Sequence, residues 1–141
     1  MSLDYKMKNQ KNGFSCPPDI NQTISWAILI SNIVLFSITY AYIDLSVFLI
    51  CSVSFFELFV LTIGYISTTS DPSFNPEDYT EMSLTYYCSE CNMNVLKDCK
   101  HCFTCNMCVV GFDHHCKYIN NCIGIQNYNL FVILVLSLIH I

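Results

Sequence analysis

The run DHHCKYINNC, from Asp113 to Cys122, places two adjacent histidines between an aspartate and a cysteine. Thiolate and imidazole groups bind zinc, and the same two groups also form a nucleophile with its general base. Eight of the chain's 10 cysteines fall between Cys88 and Cys122. The spacing of these residues must therefore separate the metal ligands from the groups left for catalysis.

The candidate ligands fall into two sets with one spacing, C-x2-C-x9-H-x6-C. The first set is Cys88, Cys91, His101 and Cys108, and the same pattern fourteen residues later gives Cys102, Cys105, His115 and Cys122. Three thiolates and one imidazole form a soft tetrahedral set that favours zinc over calcium or magnesium. The pattern predicts two structural Zn²⁺ ions that tie the same loops together and act as a core.

Two other arrangements of these ligands are open. Sequential sites would require neighbours such as His101 and Cys102 to bind one ion, and the divergence of adjacent side chains favours the interleaved sets instead. A disulfide framework or an iron-sulfur centre is the alternative to zinc. Closely paired cysteines interleaved with histidines favour metal binding in a reducing compartment.

Three candidates, Cys99, His114 and Cys116, lie outside the fourteen-residue register. Cys99 is interpreted as a spare thiol. A cysteine nucleophile needs a base that holds it as thiolate, and a carboxylate orients the imidazole. We therefore predict Cys116 as nucleophile, His114 as base and Asp113 as the orienting group. The alternative is that Cys116 is an alternate ligand or inert.

The segment from Cys88 to Phe131 resembles the cysteine-rich domain of the DHHC protein S-acyltransferases, or palmitoyltransferases. The matching runs are CSEC, HCFTCNMC, DHHC, NNCIG and NYNLF, the last with Asn127 and Phe131 at the family's N-x3-F positions. The resemblance implies that Cys116 attacks palmitoyl-CoA, or another long-chain acyl-CoA, and passes the acyl chain to a cysteine of a membrane-associated protein. It also implies a cavity for the acyl chain between transmembrane helices.

Two of the departures from the family pattern lie between Cys88 and Cys122. Lys117 and Tyr118 stand where the family has proline and tryptophan. Val95, Leu96 and Asp98 replace the usual basic and proline residues. Weaker phosphate contacts to coenzyme A are expected from the second change.

Two apolar runs, residues 24–43 and 45–66, precede this region. Each is about the 20 residues that a helix needs to cross a bilayer core. The chain is only 12% charged, about half the usual share. Residues 24–66 therefore predict a transmembrane hairpin with a tight connection at Asp44. Buried helices of a soluble core are the alternative, although neither run has a polar stripe. Glu57, inside the second run, is expected to be protonated or to bond a polar residue such as Asn32 on the neighbouring helix.

The predicted fold is an α-helical membrane protein, a transmembrane hairpin plus the start of a third span, with a small zinc-stapled, loop-rich cytosolic cysteine-rich domain. Residues 1–23 form a cytosolic tail, 67–126 the cysteine-rich DHHC zinc domain, and 127–141 the start of a third transmembrane helix. We expect that the chain is truncated within this span and that the fragment is inactive alone.

The lysines at 6, 8 and 11 favour a cytosolic tail by the positive-inside rule, and two spans place the cysteine-rich domain on the same side. We expect an integral, multi-pass protein of the Golgi, the endoplasmic reticulum or the plasma membrane.

Two other function classes are open. One is a non-catalytic zinc-binding membrane adaptor, a pseudoenzyme, and the other is a thiol redox or metal-sensing membrane protein in which Cys99 and Cys116 form the reactive pair. The intact set of Asp113, His114 and Cys116 favours the acyltransferase. The chain lacks the basic patch typical of nucleic-acid binding, so nucleic acid is not an expected partner.

Overall fold

The computed structural model describes residues 12–14, 18–43, 46–80 and 84–139. Its elements in chain order are α1 (Ile20–Tyr42), α2 (Val47–Thr69), a short 3-10 turn (Pro76–Asp78), β1 (Tyr86–Cys88), β2 (Met93–Val95), β3 (Cys99–Cys102), β4 (Met107–Val110), β5 (His114–Cys116), β6 (Asn121–Ile123) and α3 (Tyr128–Ile139). The three tail lysines and the predicted hairpin connection at Asp44 lie outside the described residues.

Polar residues, Asp19 and Ser46, cap the start of both long helices. α1 begins at Ile20, earlier than predicted, because the Asp19 carboxylate caps it by accepting from the backbone N–H of Asn21 at 2.8 Å. α2 extends to Thr69, and the hydroxyl of Thr68 folds back on the carbonyl of Gly64 at 2.8 Å. Each helix has 23 residues and is long and apolar enough to cross a membrane.

The large apolar side chains of these helices face outward. Ile28, Leu35, Phe48 and Phe55 are all more than half exposed, and Gln22 is the one buried residue of α1. Water would make such a surface an aggregation liability, whereas lipid solvates it at no cost. The exposure favours membrane spans over the alternative of buried helices in a soluble core.

Contacts at one end of the helices show that α1 and α2 run antiparallel. The backbone N–H of Gly13, just before α1, donates to the carbonyl of Thr68 near the end of α2 at 2.7 Å. α2 packs most closely against α3, where Gly64 brings its backbone near Leu134. The three helices therefore converge where the cysteine-rich region begins.

The cysteine-rich region consists of three antiparallel β-hairpins and their turns rather than loops alone. The hairpins are β1–β2, β3–β4 and β5–β6. Equivalent pairs in the three ladders are Cys88↔Met93, Cys102↔Met107 and Cys116↔Asn121. The turns repeat too, because Asn92, Asn106 and Asn120 have φ angles of 52°, 51° and 51°. Asparagine tolerates this left-handed conformation better than most residues do.

The third hairpin is joined to the end of α2 by Asn121, whose side chain is fully buried. Its Nδ2 donates to the carbonyls of Ser70 at 2.8 Å, Ser67 at 3.2 Å and Thr68 at 3.4 Å. The last carbonyls of a helix have no partner within the helix, so Asn121 acts as a side-chain cap for α2. A hairpin that carries the DHHC run is thus fixed to the membrane helices.

The second and third hairpins approach each other at Gly124. A Cβ at this position would lie 2.4 Å from Cγ1 of Val109 and 2.7 Å from the carbonyl oxygen of Val110. Such distances are closer than van der Waals contact. Glycine is therefore required here for close packing of the two hairpins.

We predict that Asn121→Ala lowers the free energy of unfolding by about 1–3 kcal/mol, because it leaves the last carbonyls of α2 without their donor. Thermal unfolding in detergent micelles would measure the change. Asn94→Ala, at an exposed position of β2, is the matched control and should melt as the wild type does. Equal melting temperatures for Asn121→Ala and wild type would contradict this account of the hairpin's attachment.

Candidate active site and metal centres

The alternation of side chains along β5 places the residues of the DHHC run on two different faces of the hairpin. Successive side chains of a strand point to opposite faces, so His114 and Cys116 share one face and His115 lies on the other. His115 pairs across the ladder with Cys122, which belongs to the second ligand set. The same rule separates His101 from Cys102 in β3, so neighbouring residues contribute to different clusters.

The structure brings together the first predicted ligand set. Nδ1 of His101 lies 3.2 Å from Sγ of Cys91, 3.8 Å from Sγ of Cys88 and 3.9 Å from Sγ of Cys108. The sulfurs of Cys91 and Cys108 are 3.4 Å apart. All four ligand atoms lie within 4.8 Å of one another.

The second set repeats this geometry between hairpins two and three. Nδ1 of His115 lies 3.2 Å from Sγ of Cys105 and 3.8 Å from Sγ of Cys122, and these two sulfurs are 3.3 Å apart. Cys102 completes the group, again with all four atoms within 4.8 Å of one another. Hairpin two contributes ligands to both clusters, so the clusters join the three hairpins in series.

These distances fit two zinc ions. A tetrahedron with zinc-sulfur bonds of about 2.3 Å has edges of about 3.8 Å, close to the separations seen here. No disulfide joins any of the nine cysteines among the described residues. The ring nitrogen of His101 that faces the sulfurs is Nδ1, while its buried Nε2 has no hydrogen-bond partner among the described residues.

The thiols within each cluster differ in acidity. Burial raises the pKa of Cys88, but hydrogen bonds from the backbone of Cys91 and from neighbouring thiols outweigh it and lower the pKa overall. The pKa of Cys102 is lowered mainly by the Cys105 thiol. The pKa of Cys108 is raised, chiefly by burial, and that of Cys122 chiefly by its contact with Cys102.

Cys99 lies beside the first cluster but is not part of it. It packs with Val95, Val110 and the cluster cysteines at the base of hairpin two. Burial is the main cause that raises the pKa of its thiol, and the charge of Asp98 adds to it. The described surroundings are those of a packed, protonated thiol.

Asp113 and His114 form a hydrogen-bonded pair on the face opposite the second cluster. Oδ2 of Asp113 lies 3.1 Å from Nδ1 of His114. The edge of the His114 ring also meets the ring of Phe131 on α3, with centroids 5.2 Å apart. With Nδ1 engaged by the carboxylate, Nε2 is the nitrogen left to exchange a proton.

Cys116 is buried, with only 6% of its surface exposed, among Val60 of α2, Leu134 of α3 and Ile119 of its own turn. Cys116 and His114 both line one cavity of about 610 Å³ between the three helices. Its other lining residues are mostly apolar and include Trp26, Leu29, Val60 and Leu138. The thiol therefore lies where the cysteine-rich region meets an apolar space within the helices.

Cys116 occupies the register that the sequence analysis assigned to metal ligands only. It is the third member of the series Cys88, Cys102 and Cys116, each the last residue of a first hairpin strand. It nevertheless belongs to neither of the two ligand clusters. The second cysteine of each turn, Cys91 or Cys105, is replaced in the third turn by Ile119. The third hairpin thus keeps the first thiol of a metal-binding turn and has lost its partner.

Glu57 and Asn32 do not meet as expected. Asn32 lines the cavity beside Cys116, whereas Glu57 lines a second cavity with Ser37, Tyr40 and Ser54. No hydrogen bond joins the two side chains among the residues that the structure describes. The expected pairing is therefore wrong.

Buried asparagines support the site and were not predicted to do so. Asn127, only 2% exposed, donates to the carbonyl of Cys122 at 2.9 Å and contacts the Ser70 hydroxyl at 3.1 Å. It therefore joins the start of α3 to a zinc-cluster cysteine and to the end of α2. The fourteen-residue recurrence of Asn92, Asn106 and Asn120 was the available sequence signal for the turns.

We predict that the protein binds two zinc ions and that Cys91→Ala and Cys105→Ala each retain about one, because each removes a ligand from a different cluster. Metal analysis of purified protein would measure the content. Cys99→Ala is the matched control and should retain both ions. Loss of both ions from either ligand variant would contradict two separable sites.

Zinc affinity should fall as pH falls. The raised pKa values of Cys108 and Cys122 mean that these thiols hold protons in the metal-free clusters, and zinc must displace them. Acid therefore competes with metal, and about one or more protons should be released per ion bound. Competition with a chromophoric chelator between pH 8 and pH 5 would measure this, and a pH-independent affinity would contradict it.

Residues 81–141 match the protein-family model described as DHHC palmitoyltransferase. The matched range contains both ligand clusters, the DHHC run and α3. No curated protein matches the chain at a significant level.

Proposed function

We propose that this chain transfers a long-chain acyl group from acyl-CoA to cysteine thiols of membrane-associated proteins, a proposal supported by the match of residues 81–141 to the DHHC palmitoyltransferase family model. Cys116 would carry the acyl group between the two substrates. Palmitoyl-CoA is the proposed donor, as the family description indicates. The protein substrates would approach from the side of the cysteine-rich domain.

The observation that carries this proposal is the position of the Cys116 thiol. It lies at an apolar cavity between membrane-spanning helices and shares that cavity with a histidine whose other nitrogen is held by a carboxylate. Each methylene moved from water into an apolar space is worth about 0.8 kcal/mol, so a long acyl chain would favour this cavity strongly. Few other substrates would place their reactive end at Cys116 while their tail stays out of water.

In the first step, Nε2 of His114 takes the proton of the Cys116 thiol, and the sulfur attacks the thioester carbonyl of acyl-CoA. The new bond is the Cys116 thioester, and the carbon–sulfur bond to coenzyme A breaks. The proton returns from His114 to the departing coenzyme A thiolate. Asp113 stabilises the imidazolium formed in between and keeps the ring oriented.

In the second step, the thiol of a substrate cysteine attacks the Cys116 thioester, with His114 again accepting the proton. The acyl group moves to the substrate and Cys116 regains its hydrogen. The contact between His114 and Phe131, together with the burial of Cys116, limits the approach of water. Water would otherwise hydrolyse the intermediate.

Zinc, when bound, would supply structural cross-links rather than chemistry on the substrate. The second cluster contains His115, which precedes Cys116 in β5, and Cys122, which lies in the partner strand β6. Fixing both strands of this hairpin limits the movement of Cys116 relative to His114. Catalytic geometry needs this restriction, because small displacements of reacting groups are costly in rate.

Lys117 and Tyr118, in the turn after Cys116, are exposed, and Tyr118 is among the cavity-lining residues. A lysine there could meet coenzyme A phosphates as a point charge, and a tyrosine could pack against the acyl thioester end. We propose these contacts as substitutes for the family's proline and tryptophan.

We propose that the chain is a multi-pass membrane protein with its tail and cysteine-rich domain in the cytosol. The lysines at 6, 8 and 11 support this orientation, as do the free thiols, which suit a reducing compartment. The membranes proposed are those of the Golgi, the endoplasmic reticulum or the plasma membrane. Acyl-CoA and membrane-anchored substrates meet at that face.

The other function classes are less well supported. A thiol redox function would need Cys99 and Cys116 as a pair, but Cys99 packs beside the first cluster and Cys116 packs among the helices. A non-catalytic adaptor has no use for the ordered Asp113–His114 contact beside a thiol. The acyltransferase accounts for both features.

The expectation that the chain is inactive alone is tested here, because the cavity between the three helices already brings Cys116 and His114 together. We predict that brief incubation of the purified chain with an alkynyl palmitoyl-CoA labels it through a hydroxylamine-sensitive thioester. Cys116→Ser should abolish labelling, and His114→Ala should slow it about 10²- to 10⁴-fold, as expected for loss of a general base. Cys99→Ser is the control and should label as the wild type does. Persistent labelling of Cys116→Ser would show that the nucleophile is a different residue.

A further inference from the structure

The turn that follows Cys116 is held by a short segment near the chain's N-terminus, which we call the N-terminal strap (Asn12–Phe14). We propose that the strap and Gln22 are positioning elements that hold Cys116 in its reactive place. This inference rests on the proposed acyltransferase function. It assigns a role to residues that lie outside the matched domain, which begins at residue 81.

Gly13 is at the centre of the contact. Its carbonyl accepts from Nε2 of Gln22 and from Nδ2 of Asn120, each at 3.1 Å. Its N–H donates to the carbonyl of Thr68 at 2.7 Å. One residue therefore joins the first turn of α1, the end of α2 and the tip of the third hairpin.

The fit around Gly13 excludes any side chain. A Cβ there would lie 2.1 Å from the carbonyl oxygen of Ile119 and 2.7 Å from Cγ2 of Thr68. Backbone oxygens do not yield as flexible side chains do. The strap can therefore lie against the turn only with glycine at this position.

Gln22 strengthens the contact from the helix side. It is 1% exposed, and its Nε2 also lies 3.5 Å from the carbonyl oxygen of Ile119. Its Oε1 has no hydrogen-bond partner among the described residues. A buried amide with an unpaired oxygen is destabilising. Its contacts with the strap at Gly13 and with the turn at Ile119 are a specific gain that a leucine of the same size could not provide.

The repeat explains why the third turn needs such an anchor. In the first two hairpins the residues Cys91 and Cys105 fix the turn through a metal cluster. In the third hairpin the equivalent residue is Ile119, which offers no ligand. Its backbone is held instead by Gln22, and its neighbour Asn120 by Gly13. Protein hydrogen bonds thus replace the metal bond, and the replacement leaves the first thiol of the turn, Cys116, free to react.

Cys116 would respond to a loosened turn because both belong to one packed unit. The side chains of Cys116 and Ile119 lie in the same buried cluster with Val60 and Leu134. Movement of Ile119 would shift the thiol relative to His114 and the cavity. A displacement of about 1 Å at a reacting group can reduce a rate about a hundredfold.

Acyl-enzyme formation by the full chain in lipid nanodiscs tests the inference. We expect Gln22→Leu to lower the maximal rate of acylation about tenfold to a hundredfold, with little change in the acyl-CoA concentration for half-maximal rate, and Gly13→Ala to lower it further. Zinc content should stay at two ions in both. Thr23→Ala, an exposed neighbour on the same helical turn, is the matched control and should react as the wild type does.

Gln22→Glu separates a hydrogen bond from mere packing. A carboxylate cannot donate to the Gly13 carbonyl, whereas a protonated carboxylic acid can. Relative to wild type at the same pH, its acylation rate should therefore recover as pH falls. A relative rate that does not change with pH would count against the hydrogen-bond role.

Amide hydrogen exchange gives a readout that needs no activity. Peptides covering residues 117–121 should exchange faster in Gln22→Leu than in wild type or Thr23→Ala. Wild type that forms no acyl-enzyme would overturn the proposed function, while the exchange data would still decide the anchoring. Active wild type together with wild-type rates and exchange in Gln22→Leu and Gly13→Ala would overturn the positioning role. Loss of zinc from Gln22→Leu would also overturn it, because the effect would then be global.

Discussion

The alternation of side chains along a two-stranded hairpin is the constraint on which the rest of this structure depends. In β5 it directs His115 toward a metal cluster and directs His114 and Cys116 toward the cavity between the helices. Neither a helix nor an irregular loop would divide neighbouring residues so cleanly. A run of four ligand-type residues can therefore serve structure on one face and chemistry on the other.

The same alternation operates in all three β-hairpins, which repeat one sequence motif. Each hairpin places a cysteine at the end of its first strand and a left-handed asparagine in its turn. Two copies complete a metal cluster by taking a histidine and a cysteine from the next hairpin. The third copy is followed by α3 instead of a hairpin, and Ile119 replaces its second cysteine. The free thiol is thus a consequence of where the series of hairpins stops.

Attachment of the third hairpin to the helices turns a small metal domain into a membrane-facing site. Asn121 caps the end of α2, Asn127 joins α3 to Cys122 and Ser70, and Gly13 lies between α2 and the hairpin tip. All three use hydrogen bonds to backbone carbonyls, which are strong when shielded from water. The position of Cys116 at the cavity depends on these contacts as much as on the zinc clusters.

Much of this arrangement could be predicted from the sequence, because spacing carries the information. The two ligand sets share one pattern, and the two apolar runs have the length of a bilayer, so the clusters and long helices were expected. The strands were not expected, since segments of three or four residues that are rich in cysteine show no alternation of apolar residues. Helix ends shifted by a few residues because polar caps such as Asp19 lie outside the apolar run.

Long-range polar contacts could not be predicted at all. In the sequence, Gln22 is an ordinary polar residue before an apolar run. It contacts Ile119, which is 97 positions away in the chain. Glu57 and Asn32 were paired because both are polar residues in adjacent spans, but they line different cavities. The rotation of a helix about its axis decides which neighbour a given side chain faces. Both long helices are apolar on all sides, so their sequences contain no amphipathic pattern that would predict this rotation.

Peptide mapping of the acyl-enzyme tests the central claim most directly. Zinc-loaded protein incubated briefly with acyl-CoA, digested and read by mass spectrometry, should carry its hydroxylamine-sensitive acyl group on Cys116 and on none of the cluster cysteines or Cys99. An acyl group spread over the cluster cysteines, or found on Cys99 alone, would contradict the division of the hairpins into two that bind metal and one that reacts.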